Sequence, residues 1–133
     1  QGDRTLLETA LRETHEEMGV RPQDVDVLGQ LDDVATNSNY VINAFVGTIP
    51  SPYPFRPNPD EVAEVIEIPL GALAQVQNVR DEVRLVNGEL VNRPSYVYQG
   101  HMVYGATAIL LTGFLGLTHG ALDGEDPWKT NRP

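Results

Sequence analysis

The 133-residue chain carries nine basic against nineteen acidic residues, giving a net charge of −10 and a pI near 4.5. With 41% hydrophobic and 21% charged residues it has the composition of one globular domain and not of a disordered segment. The acidic balance argues against sequence-independent binding to nucleic acid or to an anionic membrane, and the absence of cysteine excludes disulfides, thiolate zinc sites and cysteine nucleophiles.

Thr5 to Met18 reads as a helix. Thr5-Leu6-Leu7-Glu8 fits a capping box, and Leu7, Ala10, Leu11, Thr14 and Met18 recur at helical spacing on one mostly apolar face. Gly19 stands where a left-handed residue ends such a helix. Val25 to Leu31 alternates as a strand, and Tyr40 to Ile49 reads as a second, largely buried one. A Pro-rich loop follows over Ser51 to Pro59, then a strand at Val62 to Ile68, closed by Pro69, and a short helix around Gly71 to Val76. Asn87-Gly88, between Val83–Val86 and Glu89–Val91, is a hairpin signal because a type I′ turn needs positive φ at both central residues. Tyr96 to Tyr98 reads as a further strand and Val103 to Leu117 as a final, mostly buried helix. That apolar run is interrupted by Gly and Thr and falls short of the roughly 20 residues that span a bilayer. Residues 119–133 turn polar and read as a tail. No signal peptide is visible at the start, so a cytoplasmic location is expected.

The informative stretch is Arg12-Glu13-Thr14-His15-Glu16-Glu17-Met18-Gly19-Val20. At about 100° per residue, Glu13, Glu16 and Glu17 share a sector away from the Leu7/Leu11/Met18 face. Most charge runs are solvated faces. Two physical points weigh against that reading here. Like charges at i, i+4, such as Glu13 and Glu17, destabilise a helix by roughly 0.2–0.5 kcal/mol per pair. The three carboxylates also lie in the last turns, where the helix dipole favours cations. A divalent cation removes both objections, and an all-oxygen set suits Mg²⁺ or Mn²⁺ better than zinc. Arg12 has Glu16 four residues on and Glu8 four residues back, and so can hold a ligand carboxylate in place. A lone His15 reads as a packing or surface residue. Tyr40, Tyr96, Tyr98 and Tyr104 can stack an adenine, but aromatic residues on strands are more often core.

This stretch resembles the second half of the Nudix box, G-x5-E-x7-R-E-U-x-E-E-x-G-U with U apolar. Arg12, Glu13, Glu16, Glu17, Gly19 and Val20 occupy the matching positions, and Thr14 replaces the first U. In this register the box's first Glu falls on Arg4, and Asp3 is a candidate to substitute for it. The remaining pieces look like the coenzyme A pyrophosphatase branch. They are Leu28-Gly29-Gln30-Leu31-Asp32-Asp33, Asn58-Pro59-Asp60-Glu61-Val62 with Pro69-Leu70, and Gly100-His101-Met102-Val103-Tyr104-Gly105-Ala106-Thr107-Ala108.

The resemblance implies an α+β Nudix fold, a mixed β-sheet sandwiched between α-helices. The domain would cover residues 1–118 without its N-terminal strands. It also implies a Mg²⁺- or Mn²⁺-dependent pyrophosphohydrolase cleaving coenzyme A or an acyl derivative to 4′-phosphopantetheine and adenosine 3′,5′-bisphosphate. Glu13 and Glu17 would be the main metal ligands, and Glu16 would complete the set or hold a water. Glu61, at the end of the Pro-rich loop, is the candidate general base, with Glu64 behind it, while Asp32 and Asp33 read as turn residues. Two alternatives stand beside this reading. One keeps the chemistry on ADP-ribose, nucleotide sugars or dinucleotides, and the other is a Nudix-like binding module without turnover. The partner is a small nucleoside diphosphate derivative, with no nucleic acid and no membrane, and a homodimer is compatible with the chain.

Overall fold

A computed structural model describes residues 2–36 and 39–122. They fall into two compact units, one of residues 2–33 and 43–66 and the other of residues 34–42 and 67–122.

The first unit opens with helix α1, Leu6–Met18. Thr5, in extended conformation, accepts the Glu8 N–H on its hydroxyl at 3.1 Å. The Glu8 carboxylate reaches back to the Arg4 N–H at 2.8 Å, so the capping box closes one residue upstream of its usual partner. Gly19 ends the helix at φ +73°, donating to the His15 carbonyl. A 3₁₀ turn at Pro22–Asp24 leads into β1, Asp26–Gln30, which pairs antiparallel with β4, Phe45–Thr48. The apolar face of α1 turns towards this pair as its periodicity predicts. Leu7, Leu11 and Met18 line an open cavity of about 310 Å³ with Val27, Phe45 and Phe55. Thr14 also lines it, its hydroxyl donating to the Ala10 carbonyl at 2.8 Å, so a polar residue in an apolar position leaves no hydroxyl unpaired.

The second unit holds β2, Val34–Ala35, and β3, Val41–Ile42, which pair antiparallel. The continuous strand expected over Tyr40 to Ile49 is therefore two short ones with different partners. Asn43, between the two in sequence, belongs to the first unit, where its amide donates to the Asp33 carboxylate at 2.8 Å. Helix α2, Leu70–Leu73, begins directly after Pro69, whose fixed φ suits a helix start. A 3₁₀ turn at Val76–Asn78 follows. The Asn-Gly hairpin forms as expected. Its arms β5, Val79–Val86, and β6, Glu89–Tyr98, pair from Val86↔Glu89 to Val79↔Tyr96, with Asn87 and Gly88 at φ +51° and +83°. Gln99 and Gly100 repeat that positive-φ geometry and add β7, His101–Val103.

Helix α3 runs from Gly105 to Leu122, four residues into the stretch read as a tail; residues 123–133 lie outside the described set. Its core contact is Ala108, buried with Leu73 and Tyr96 and surrounded by Val79, Val103 and Leu111. Most of the helix is half-buried, not buried as expected. Tyr96 shares a 2.6 Å hydrogen bond with the Thr112 hydroxyl. The core reading holds for Tyr96 and fails for Tyr40 and Tyr104, which are exposed.

Val62 to Ile68 is not a strand. Its alternating apolar residues give it strand character, but it pairs with no described strand, and a strand exists only as part of a ladder. Three helices and three antiparallel sheets among the described residues make an α+β architecture. None of the described helices is long and apolar enough to cross a membrane.

Candidate functional site

The acidic face of α1 carries the three carboxylates in two different states. Glu16 accepts from the Arg12 guanidinium at 3.0 Å, the i, i+4 pair anticipated from the spacing. The carboxylates of Glu13 and Glu17 have no hydrogen-bond or ion-pair partner among the described residues. Arg12 is held from its other side by Asp3, whose carboxylate accepts Nε–H at 2.7 Å and the Thr9 hydroxyl at 3.1 Å. The Arg12 guanidinium, helped by Thr9, holds the Asp3 carboxyl below the usual carboxylate range. Asp3 and then Glu16 strengthen the hold of Arg12 on its proton. Asp3, the candidate to substitute for the box's first Glu, is thus engaged in orienting Arg12. Glu8, the other candidate partner of Arg12, caps the helix instead.

The Pro-rich loop is fastened to this helix. Pro52, Pro54, Pro57 and Pro59 supply fixed φ and no N–H. The donors left between them are directed inward, with Arg56 N–H on the Met18 carbonyl at 2.9 Å and Asn58 N–H on the Glu17 carbonyl at 2.8 Å. Both acceptors belong to the last turn of α1, whose carbonyls lack partners within the helix. The approach is so close that a Cβ on Gly19 would stand 2.6 Å from the Arg56 Cβ. At the other end of the loop, the Tyr53 hydroxyl donates to Asp24 at 2.6 Å and accepts the Arg21 N–H at 3.0 Å. Arg21, first, and Tyr53 both draw the Asp24 carboxyl below its ordinary range.

Glu61 lies on the turn that follows. Asn58 accepts the Asp60 N–H on Oδ1 at 3.1 Å, and the N–H groups of Glu61 and Val62 on its carbonyl at 3.0 and 2.8 Å. One residue therefore bonds both the Glu17 end of α1 and the turn bearing Glu61. Glu61 is exposed, as is Glu64 beyond it. Asp33 accepts from the Asn43 amide, and His15 is on the surface. Arg80, in the other unit, turns its guanidinium onto the carbonyls of Gln77 and Val79. Asp3 as a clamp, Tyr53 and Asn58 were not singled out in the sequence for these roles. The signal for Asn58 was its place between two prolines, where an Asx turn is favoured.

These donors fit a hard divalent ion in kind, being carboxylate oxygens, two of them without partners. Among the described residues no three acidic or imidazole groups form a complete cage. Magnesium is commonly held by only one or two carboxylates, with waters and substrate phosphates completing the shell.

Comparison with known proteins agrees with this arrangement. Residues 1–87 match the NUDIX domain family. The chain is 32% identical over 109 residues to the uncharacterized Nudix hydrolase NudL of Photorhabdus laumondii, covering 82% of this chain and 58% of that protein. It is 46% identical over 68 residues to the NudL of Pectobacterium atrosepticum, covering 51% of this chain and 35% of that one. Over 111 residues it is 33% identical to the NudL of Yersinia pestis, covering 82% and 55%. The chain thus spans little more than half the length of the relatives it matches most fully. A family match over residues 1–87 that takes in the whole acidic face of α1 and its docked loop shows that the chain belongs to the Nudix family.

Proposed function

We propose that the chain is the catalytic part of a metal-dependent Nudix pyrophosphohydrolase acting on coenzyme A or an acyl derivative. The observation that carries this reading is the pair Glu13 and Glu17, without partners one turn apart at the end of α1, beside a loop whose backbone fastens the Glu61 turn to the same helix end. A helix built for stability alone would not hold two like charges there.

Glu13 and Glu17 would hold the divalent cation. When bound, it neutralises charge on the diphosphate oxygens and makes water more acidic. Glu61 accepts the proton of the attacking water, so that a new P–O bond forms as the bridging P–O bond breaks. Glu16, held in orientation by Arg12, would complete the set or hold a water. Within this reaction class, coenzyme A is favoured by the resemblance of Asn58-Pro59-Asp60-Glu61-Val62 and the later segments to the coenzyme A pyrophosphatase branch. The products would be 4′-phosphopantetheine, or its acyl form, and adenosine 3′,5′-bisphosphate.

The test is hydrolysis of coenzyme A, ADP-ribose and a dinucleoside polyphosphate by the full-length protein, with Mg²⁺ and then with EDTA. Magnesium-dependent cleavage preferring coenzyme A is expected. Preference for another diphosphate would keep the reaction and discard the substrate. Cleavage of none, with metal bound, would leave a binding module.

A further inference from the structure

Asn58 is half-buried between two prolines and makes four hydrogen bonds across two segments. Its N–H fixes the Glu17 carbonyl at 2.8 Å. Its Oδ1 and carbonyl together collect the N–H groups of Asp60, Glu61 and Val62. The flanking prolines have no donors, so neither can replace Asn58 at the helix end. These bonds tie the backbones of two glutamates to one residue: Asn58 holds the Glu17 carbonyl and closes the turn that carries Glu61.

We infer that Asn58 is a positioning residue of the hydrolytic reaction, setting the Glu61 turn in register with the Glu17 end of α1. The inference rests on the hydrolase reading given above. Asn58 acts through Glu61 and need not touch substrate. A misplacement of about 1 Å at a reacting group can cost on the order of 100-fold in rate, so a side chain that does no chemistry can still govern kcat. The backbone bond to Glu17 survives any substitution except proline. The Oδ1 bond to Asp60 is therefore the part a side-chain variant removes.

The experiment is a double-mutant cycle on the full-length protein with N58A, E61Q and the pair, measuring kcat and KM for coenzyme A in Mg²⁺. N58A is expected to lower kcat about tenfold, with KM within about twofold of wild type. In the E61Q background it should have no further effect, because there is no base left to position. N58D, which keeps the acceptor for the Asp60 N–H, should recover most of the rate. Equal losses from N58A in both backgrounds would mean a general structural role and overturn the inference, as would a wild-type kcat in N58A. Should N58A fail to fold, N58Q, which keeps the amide but carries it too far out for the turn, takes its place with the same expectations. The wild-type assay separates the two readings. An active wild type with a fully active N58A sinks the Asn58 assignment alone, whereas an inactive wild type sinks both.

Discussion

Arg12 is gripped from two sides, by Asp3 at 2.7 Å and by Glu16 at 3.0 Å, and this pairing turns an acidic face into an ordered one. Without Asp3, the guanidinium would hold Glu16 by a single exposed contact, a kind that contributes little to stability.

The Asp3 clamp has a pH signature. Its folded pKa is lowered, so its contribution is fully present above the ordinary carboxylate value and is lost as pH falls through the lower folded one. Asp3→Asn should therefore lower the thermal midpoint at neutral pH, and the gap to wild type should close as pH falls below the carboxylate range. A gap that stays constant down to acid pH would show that the carboxylate charge is not what Asp3 contributes.

Glu17→Gln should abolish turnover while the metal-free protein becomes slightly more stable. Removing one of two like charges at i, i+4 relieves roughly 0.2–0.5 kcal/mol of repulsion, about 1–2 °C in Tm. Loss of groups that merely orient metal ligands already costs about 10–100-fold, so loss of a ligand should cost at least about 100-fold. Melts in EDTA and rates in Mg²⁺ check the two halves. Unchanged hydrolysis would remove Glu17 from the metal site, and a lowered melting temperature would restore it to a structural role.

Glu61→Gln separates the proposed base from the proposed ligands. General-base catalysis contributes typically 10²–10⁴-fold, so kcat should fall by about that much. Mn²⁺ affinity measured by EPR should stay at the wild-type value, since Glu13 and Glu17 are untouched. A variant with wild-type kcat would move the base to another residue. Loss of Mn²⁺ binding would make Glu61 a ligand.

How much of this was legible in the sequence follows from the range of the interactions. The α1 cap, its apolar face, its Gly19 terminus and the Asn-Gly hairpin all depend on residues within a few positions of one another. They formed where the pattern placed them. The Val62 to Ile68 segment and the single strand over Tyr40 to Ile49 failed for the opposite reason, because strands need partners that local alternation does not name. The same division runs through the candidate site. Glu13, Glu16 and Glu17 lie within one helix, and the Arg12–Glu16 pair was readable from spacing. Asp3 on Arg12, Tyr53 on Asp24 and Asn58 on Glu17 join residues 9, 29 and 41 positions apart. No periodicity links such positions, so the partner that Asp3 takes could not be read from spacing.

Gly19→Ala offers the sharpest test of whether loop docking matters to the site. Gly19 sits at φ +73°, where an L side chain costs roughly 1–2 kcal/mol. Its new Cβ would also stand 2.6 Å from the Arg56 Cβ and 2.9 Å from the Arg56 nitrogen that bonds Met18. Because backbone and not a flexible chain end is in the way, the loop must shift. Urea melts should therefore show a loss above about 1–2 kcal/mol, and kcat should fall even under conditions where the protein remains folded. By contrast, Gly88→Ala, at φ +83° with open space around its Cβ, carries the conformational strain alone and lies in the other unit. It should cost stability without lowering kcat. Equal effects of the two substitutions on kcat would show that rate follows overall stability, and that the contact between the loop and the end of α1 has no special part in the site.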